Sequence, residues 1–115
     1  MLNQIVLVGR LARTPELRET DKKKYSYIRL AVPRSFKNVN GTYDTDFIDC
    51  TLWDNIAKNA VEFCKTGDIV GVKGRIQSVN YEKDGKIIYG LEVIAEKITF
   101  LSNKKDSEEK QKNIV

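Results

Sequence analysis

Hydrophobic and polar positions alternate along Thr45–Trp53, TDFIDCTLW, with the period of two that marks a β-strand. Ile48, Cys50 and Leu52 fall on one face and predict a buried side. Phe47, Asp49, Thr51 and Trp53 fall on the other. A face that met only water would be polar, yet this one carries two large aromatics. Such rings either stack against a ligand or pack under a loop or a partner subunit. The remaining stretches are arranged around this strand.

Asn3–Leu11 is a first strand, almost uniformly apolar through Ile5–Val8. That run is either a covered barrel strand or a strand that pairs between subunits. Gly9 predicts a bulge or a close backbone approach, which suits a strand shared by two layers of a small barrel. Ala12–Lys24 is a polar loop ending in the basic run Lys22–Lys24. By default those lysines form a solvated tip, and contact with phosphate is the alternative. Tyr25–Arg34 is a second strand, with Ile28, Leu30 and Val32 inward and Tyr27, Arg29 and Ala31 on the other face. Asn38–Gly41 is a turn cluster, so the second and third strands form a long hairpin. Phe36 lies at its mouth between Arg34 and Lys37, and flanking cations favour stacking there over a hydrophobic plug.

After Trp53 the period lengthens. Ile56, Ala57, Ala60, Val61 and Cys64 recur at helical spacing, with Asp54 or Asn55 as the N-terminal cap and Gly67 as the stop. Alternation returns over Asp68–Tyr81. Val70, Val72 and Ile76 point one way, while Lys73, Arg75, Gln77, Val79 and Tyr81 point the other. Gly71 and Gly74 let this fourth strand bend. Asp84–Gly85 is a hairpin turn into a fifth strand, Ile87–Leu101, on which Tyr89, Leu91, Val93 and Ala95 share a face. A bulge before Ile98 and Phe100 would turn those two inward as well. Residues 102–115, SNKKDSEEKQKNIV, are charged and polar and read as a disordered tail after a single domain over 1–101.

Composition narrows the chemistry. The 115 residues suffice for one modest core, and the formal net charge of +4 permits a polyanionic partner without demanding one. There is no His, so no Ser-His-Asp or Cys-His arrangement exists, and no Cys/His cluster offers a metal site. The carboxylates are scattered, so no acid/base pair is visible, and no enzyme activity, cofactor or metal is expected. Cys50 and Cys64 lie on apolar faces and read as small core residues. No apolar run reaches the roughly 18 residues of a membrane span, and the N-terminus lacks the layout of a secretion signal, so a cytoplasmic location is expected.

The order strand, strand, strand, helix, strand, strand, with bending glycines, predicts an all-β fold of OB type. This is a five-stranded Greek-key barrel with one short helix between the third and fourth strands. Such barrels bind oligomers across strands two and three. Phe36, Phe47, Trp53 and Tyr81 supply flat rings, and Arg34, Lys37, Lys73 and Arg75 lie among them. Rings take unstacked bases and cations follow a phosphate backbone. A duplex hides its base faces, so the pattern favours single strands. Arg10 and Lys83 complete the cations assigned to the backbone.

The chain resembles the bacterial single-stranded DNA-binding proteins, closest to short Gram-positive or phage members. The resemblance rests on NQIVLVGRL, TPELR at Thr14–Arg18, LAVPRSF at Leu30–Phe36, DFIDCTLW at Asp46–Trp53 and GRIQSVNYE at Gly74–Glu82. It implies an OB-fold, usually a homotetramer, that coats single-stranded DNA without catalysis in replication, recombination, repair or DNA uptake. It implies stacking at Phe36, Phe47, Trp53 and Tyr81, and a cytoplasmic, nucleoid-associated protein. Three departures reduce or move charge. Asp54–Asn55 replaces a basic pair, Val79 replaces an Arg, and Lys22–Lys24 with Tyr25 replaces a Gly-rich turn. Fewer cations flatten the salt dependence of binding. Longer members end in an acidic tip that recruits partner proteins; here the chain reads Asn113-Ile114-Val115, so weak or absent recruitment by that route is expected.

Two other functions suit the same pattern. An OB module that assembles chiefly with proteins would bury these aromatics in an interface. An RNA-binding, cold-shock-like domain would stack bases equally well, since no group here obviously reads a 2′-hydroxyl.

Overall fold

Period-two alternation becomes burial in the two strands of the long hairpin. The computed structural model describes residues 1–102. It contains β1 (Ile5–Leu11), β2 (Arg18–Thr20), β3 (Lys23–Lys37), β4 (Tyr43–Trp53), α1 (Asp54–Phe63), β5 (Ile69–Lys83) and β6 (Lys86–Ser102). Ile28 and Leu30 of β3 and Cys50 and Leu52 of β4 are fully buried; in the register Ile28 stands against Cys50, Leu30 against Ile48 and Leu52 against Ser26. Burying each Leu or Ile contributes about 1.5–3 kcal/mol relative to exposure.

Five strands close into a barrel. β3 pairs with β4, β4 with β6, β6 with β5, β5 with β1 and β1 with β3. All are antiparallel except β4 with β6, which meet in parallel through Cys50↔Val93 and Thr51↔Ile94. This is the OB barrel expected from the order of elements. α1 packs Ala57 and Ala60 onto the same core as Leu11, Val70 and Val72.

Glycines allow the strands to cross closely. A Cβ at Gly9 would sit 2.7 Å from the carbonyl oxygen of Ala31, the close approach expected of that residue. At Gly74 a Cβ would overlap the carbonyl oxygen of Ile94. The register of β5 on β6 shifts here, from Lys73↔Lys97 to Gly74↔Ala95, so Glu96 is the extra residue of a bulge. That bulge lies where the sequence pattern required one before Ile98.

Several expectations are corrected. A sixth, short strand, β2, pairs with β3 through Arg18↔Tyr25, where the pattern showed only loop. Trp53, not Asp54 or Asn55, holds the N-cap position of α1, with no side-chain cap, and the helix ends at Phe63 before Gly67 is reached. Thr51 is buried although it shares parity with Phe47, because β6 crosses beside it. Ile76 is partly exposed, because β5 and β6 continue beyond the barrel as a two-stranded arm. Tyr89 and Leu91 lie on that arm and are exposed too, unlike Ala95. Phe100 is also exposed in part and rests against Phe63, ring centroids 5.8 Å apart. Ser102 is the last residue of β6, and the expected tail from 103 onward lies outside the described residues.

Candidate nucleic-acid interface

The hairpin register places odd-numbered residues of β3 and β4 side by side on the outer face. The pairs are Tyr25↔Trp53, Tyr27↔Thr51, Arg29↔Asp49 and Ala31↔Phe47. Phe47 is 62 % exposed and Trp53 37 %. They are six positions apart along the strand, a span of about 20 Å. Trp53 is the less open because Tyr25 stands against it, ring centroids 5.5 Å apart. Tyr27 meets Tyr25 edge-on at 5.5 Å. Three rings thus line one end of the face, and Phe47 occupies the other.

Beside this face runs a cleft of about 390 Å³ lined by Arg13, Tyr27, Asp49, Thr51, Val79, Leu91 and Glu92. Its far wall is the β5–β6 arm. The floor is hydrogen-bonded. The Thr51 hydroxyl donates to Glu92 Oε1 at 2.6 Å, Gln77 Nε2 to Glu92 Oε2 at 3.3 Å, and Arg75 Nη1 to Gln77 Oε1 at 2.6 Å. A second pocket, of about 360 Å³, opens on the other side of Tyr27 between Arg13, Thr14, Glu16 and Arg18. Tyr27 therefore stands between two hollows, each with arginine in its wall.

The ten residues expected to bind are not all gathered together. Phe47 and Trp53 share the β4 face. Phe36 is 64 % exposed, but it lies where β3 departs from its register with β4 between Pro33 and Lys37. Tyr81 is 54 % exposed on the arm, two residues beyond Val79, and Lys83 is at the arm's tip beside the Asp84–Gly85 turn. Arg10 is in register with Ala31, in the same cross-strand row as Phe47, and its Nη1 donates to the Gly67 carbonyl at 2.9 Å. Lys73 is in register with Val6 and Lys97, on β5, which pairs with neither β3 nor β4. Lys37 Nζ lies 5.9 Å from the centre of the Tyr43 ring.

Arg34 differs most from its expected role as an open cation. Its Nη2 lies 3.0 Å from Asp46 Oδ1, and its Nη1 lies 3.8 Å from Asp44. The hydrogen bond and charge of Asp46 raise the Arg34 pKa, and the same contact holds Asp46 below the usual carboxylate range. Elsewhere Lys22, Lys24 and Lys58 line a hollow with Asp54 and Asn55.

Pattern reading missed Tyr25, Arg13 and the Arg29–Asp49 pair. Tyr25 and Arg29 were legible once the hairpin register is counted back from the Asn38–Gly41 turn. Arg13 was not, because a loop brings it over the sheet.

The chain matches the family described as "Single-strand binding protein family" over residues 2–101. The chain belongs to that family. It is similar to "Single-stranded DNA-binding protein B" of Bacillus subtilis, 43 % identical over 106 residues that cover 90 % of this chain and 94 % of that protein. It is 45 % identical over 108 residues to "Single-stranded DNA-binding protein 3" of Listeria innocua, covering 92 % of this chain and 68 % of the relative. It is 45 % identical over 107 residues to "Single-stranded DNA-binding protein 1" of Lactococcus lactis, covering 91 % and 71 %. Membership in the single-strand binding protein family fits the five-stranded barrel and an open aromatic face on β4. Among the described residues no group of His, Cys, Asp and Glu could hold a metal ion, and no helix is long and apolar enough to cross a membrane.

Proposed function

We propose that the chain is a non-enzymatic binding protein that coats single-stranded DNA without strong sequence preference, in replication, recombination, repair or DNA uptake. The observation that carries this is the outer face of β3–β4, where Phe47 and Trp53 stand open to solvent beside a cleft with arginine in its wall. Bases unstacked from their neighbours lie flat on such rings, each contributing about 1–3 kcal/mol. Phe36 and Tyr81 extend the stacking surface to both sides. Arg10, Lys37, Lys73, Arg75 and Lys83 hold phosphates, with Arg34 joining only if it leaves Asp46.

The chain has one Trp, so Trp53 reports binding directly. Titration with an oligothymidine quenches its emission, and added salt weakens the complex as counterions return to the phosphates. Unchanged emission at low salt overturns the proposal.

Self-association into a homotetramer is part of the same reading. It is supported by β1, where Val6 and Val8 are exposed. β1 meets β3 only at Arg10 and Leu11, so the edge of Ile5–Gly9 away from β5 has no partner strand among the described residues. An unpaired apolar edge invites a second copy. Sedimentation of the free protein tests it, and a monomer at micromolar concentration overturns it. A domain over 1–101 and a cytoplasmic, nucleoid-associated location belong to the same proposal.

A further inference from the structure

The centre of the aromatic face is not a ring but an ion pair. Arg29 Nε donates to Asp49 Oδ1 at 2.8 Å and Nη2 donates to Oδ2 at 3.1 Å. Both side chains are about half exposed, and exposed pairs contribute little to folding. The contact does something else: it fixes a guanidinium. With Nε and one Nη2 hydrogen engaged, Nη1 and the other Nη2 hydrogen have no acceptor among the described residues. They form a two-pronged donor fork whose direction Asp49 sets. Arg13, across the cleft, also acts on Asp49 and lowers its pKa further.

The fork stands beside the stacking rings. Arg29 is in register with Asp49, and Phe47 is two residues along β4 on the same face. Diagonal neighbours of this kind are about 7–8 Å apart, within reach of a long side chain. A base lying on Phe47 or Tyr27 would have an edge within reach of the Arg29 fork.

Two chemistries suit an arginine fork, a phosphate and a base edge with two adjacent acceptors. Asp49 disfavours the phosphate, because its carboxylate cancels the charge of Arg29 and repels a second anion. A neutral base edge suffers no such repulsion. Guanine presents O6 and N7 side by side, the pairing arginine makes most often with a base. Thymine separates its two carbonyls by an N–H, and adenine places an amino group beside N7. Cytosine offers N3 and O2 together but less ring to stack. We propose that Arg29, oriented by Asp49, reads guanine through O6 and N7. This gives an otherwise sequence-tolerant surface a preference at one base position. The inference rests on the reading of the β3–β4 face as a single-stranded DNA surface. In it Arg29 touches the base and Asp49 is a positioning residue.

The test compares two oligothymidines with guanines at spaced positions, one carrying guanine and the other 7-deazaguanine, which stacks alike but lacks the N7 acceptor. Trp53 quenching measures both affinities. The native protein binds the guanine strand about fivefold or more tightly, the lower end of the discrimination such contacts give. Arg29→Lys keeps the positive charge, loses the fork, and brings the two affinities together. Asp49→Ala shrinks the difference while tightening binding to plain oligothymidine, because Arg29 is then free for phosphate. Equal affinities of the native protein for the two guanine strands overturn the proposal. If neither strand nor plain oligothymidine quenches Trp53, the DNA-binding reading itself fails and this inference falls with it.

Discussion

Tyr25 and Trp53 stand opposite each other across β3 and β4, ring centroids 5.5 Å apart and planes tilted by 42°. The contact holds the indole at the end of the strand, where β4 gives way directly to α1 with Trp53 in the cap position. A platform that is already fixed loses little side-chain freedom when a base settles on it.

Removing that support gives the first prediction. Tyr25→Ala exposes the indole edge, so free-protein emission moves to longer wavelength. Affinity for an oligothymidine falls, but by less than the roughly 1–3 kcal/mol expected for Trp53→Ala, since the stacking ring itself remains. Anisotropy of a labelled oligothymidine measures both variants. An equal loss in the two would mean that Tyr25 itself holds a base.

The Arg34 pairing sets the salt dependence. Asp46→Asn removes its main counter-charge and leaves Asp44 at 3.8 Å. Affinity at low salt rises, and the slope of log affinity against log salt steepens by about 0.7, the share of one single-strand phosphate. The native pair has its own pH limit. Asp46 and Asp49 titrate below their ordinary value of 3.8, each held down chiefly by an arginine hydrogen bond. A depressed carboxylate supports the fold above that value and ceases to as pH falls through its folded pKa. Loss of these two pairs is therefore confined to strongly acid solution. An unchanged salt slope in Asp46→Asn would mean that Arg34 does not meet phosphate.

Gly74 and Gly9 are fixed by close backbone contact rather than by a turn. A side chain at Gly74 overlaps the Ile94 carbonyl where the barrel strands bend into the arm, and one at Gly9 meets the Ala31 carbonyl at 2.7 Å. Neither obstacle is a flexible side-chain end. Gly74→Ala is expected to destabilise by at least about 1–3 kcal/mol, the usual cost of overpacking, and Gly9→Ala by less. Gly85→Ala is the comparison, because nothing lies within 4 Å of it and its cost comes only from its φ of 76°. That strain is about 1–2 kcal/mol. Urea denaturation ranks the three, and a Gly74→Ala protein as stable as the native one would refute the contact.

Much of this architecture was legible because each barrel strand has one wet and one dry side. Ile28, Leu30, Cys50 and Leu52 were placed by parity alone, and Asp84–Gly85 marked its hairpin by composition. The open rings at Phe47 and Trp53 were legible for the same reason: parity left them on the wet face. Parity fails where strands depart from a simple half-buried sheet. Thr51 is covered by a strand more than 40 residues later in the chain, and no local pattern encodes that crossing. Ile76 is exposed because the arm has no second layer over it. β2, Arg-Glu-Thr, is exposed throughout and is held only by backbone pairing, which leaves no hydrophobic signal. The ion pairs of Arg29 and Arg34 needed the hairpin register, a longer inference than residue type allows.

Burial of the two thiols gives the last prediction, in alkaline solution. Cys50 is wholly enclosed and Cys64 nearly so, and burial pushes each thiol from 9.0 up to about 11, with Asp49 and Asp68 adding smaller repulsions. Between those values the unfolded chain releases protons that the native state retains. The unfolded state then binds fewer protons, so the free energy of unfolding falls as pH rises. Stability should decline from pH 9 toward 11 more steeply in the native protein than in a Cys50→Ala/Cys64→Ala variant, once the variant's lower starting stability is subtracted. The same enclosure blocks alkylation, because the thiolate is the reacting form and here it is both scarce and covered. Iodoacetamide at pH 8 should leave both cysteines unmodified in the folded protein by mass spectrometry, and label both in urea. Labelling of Cys50 at the rate of a free thiol without denaturant would show that the β4–β6 closure opens, and the barrel core would then be less secure than its packing implies.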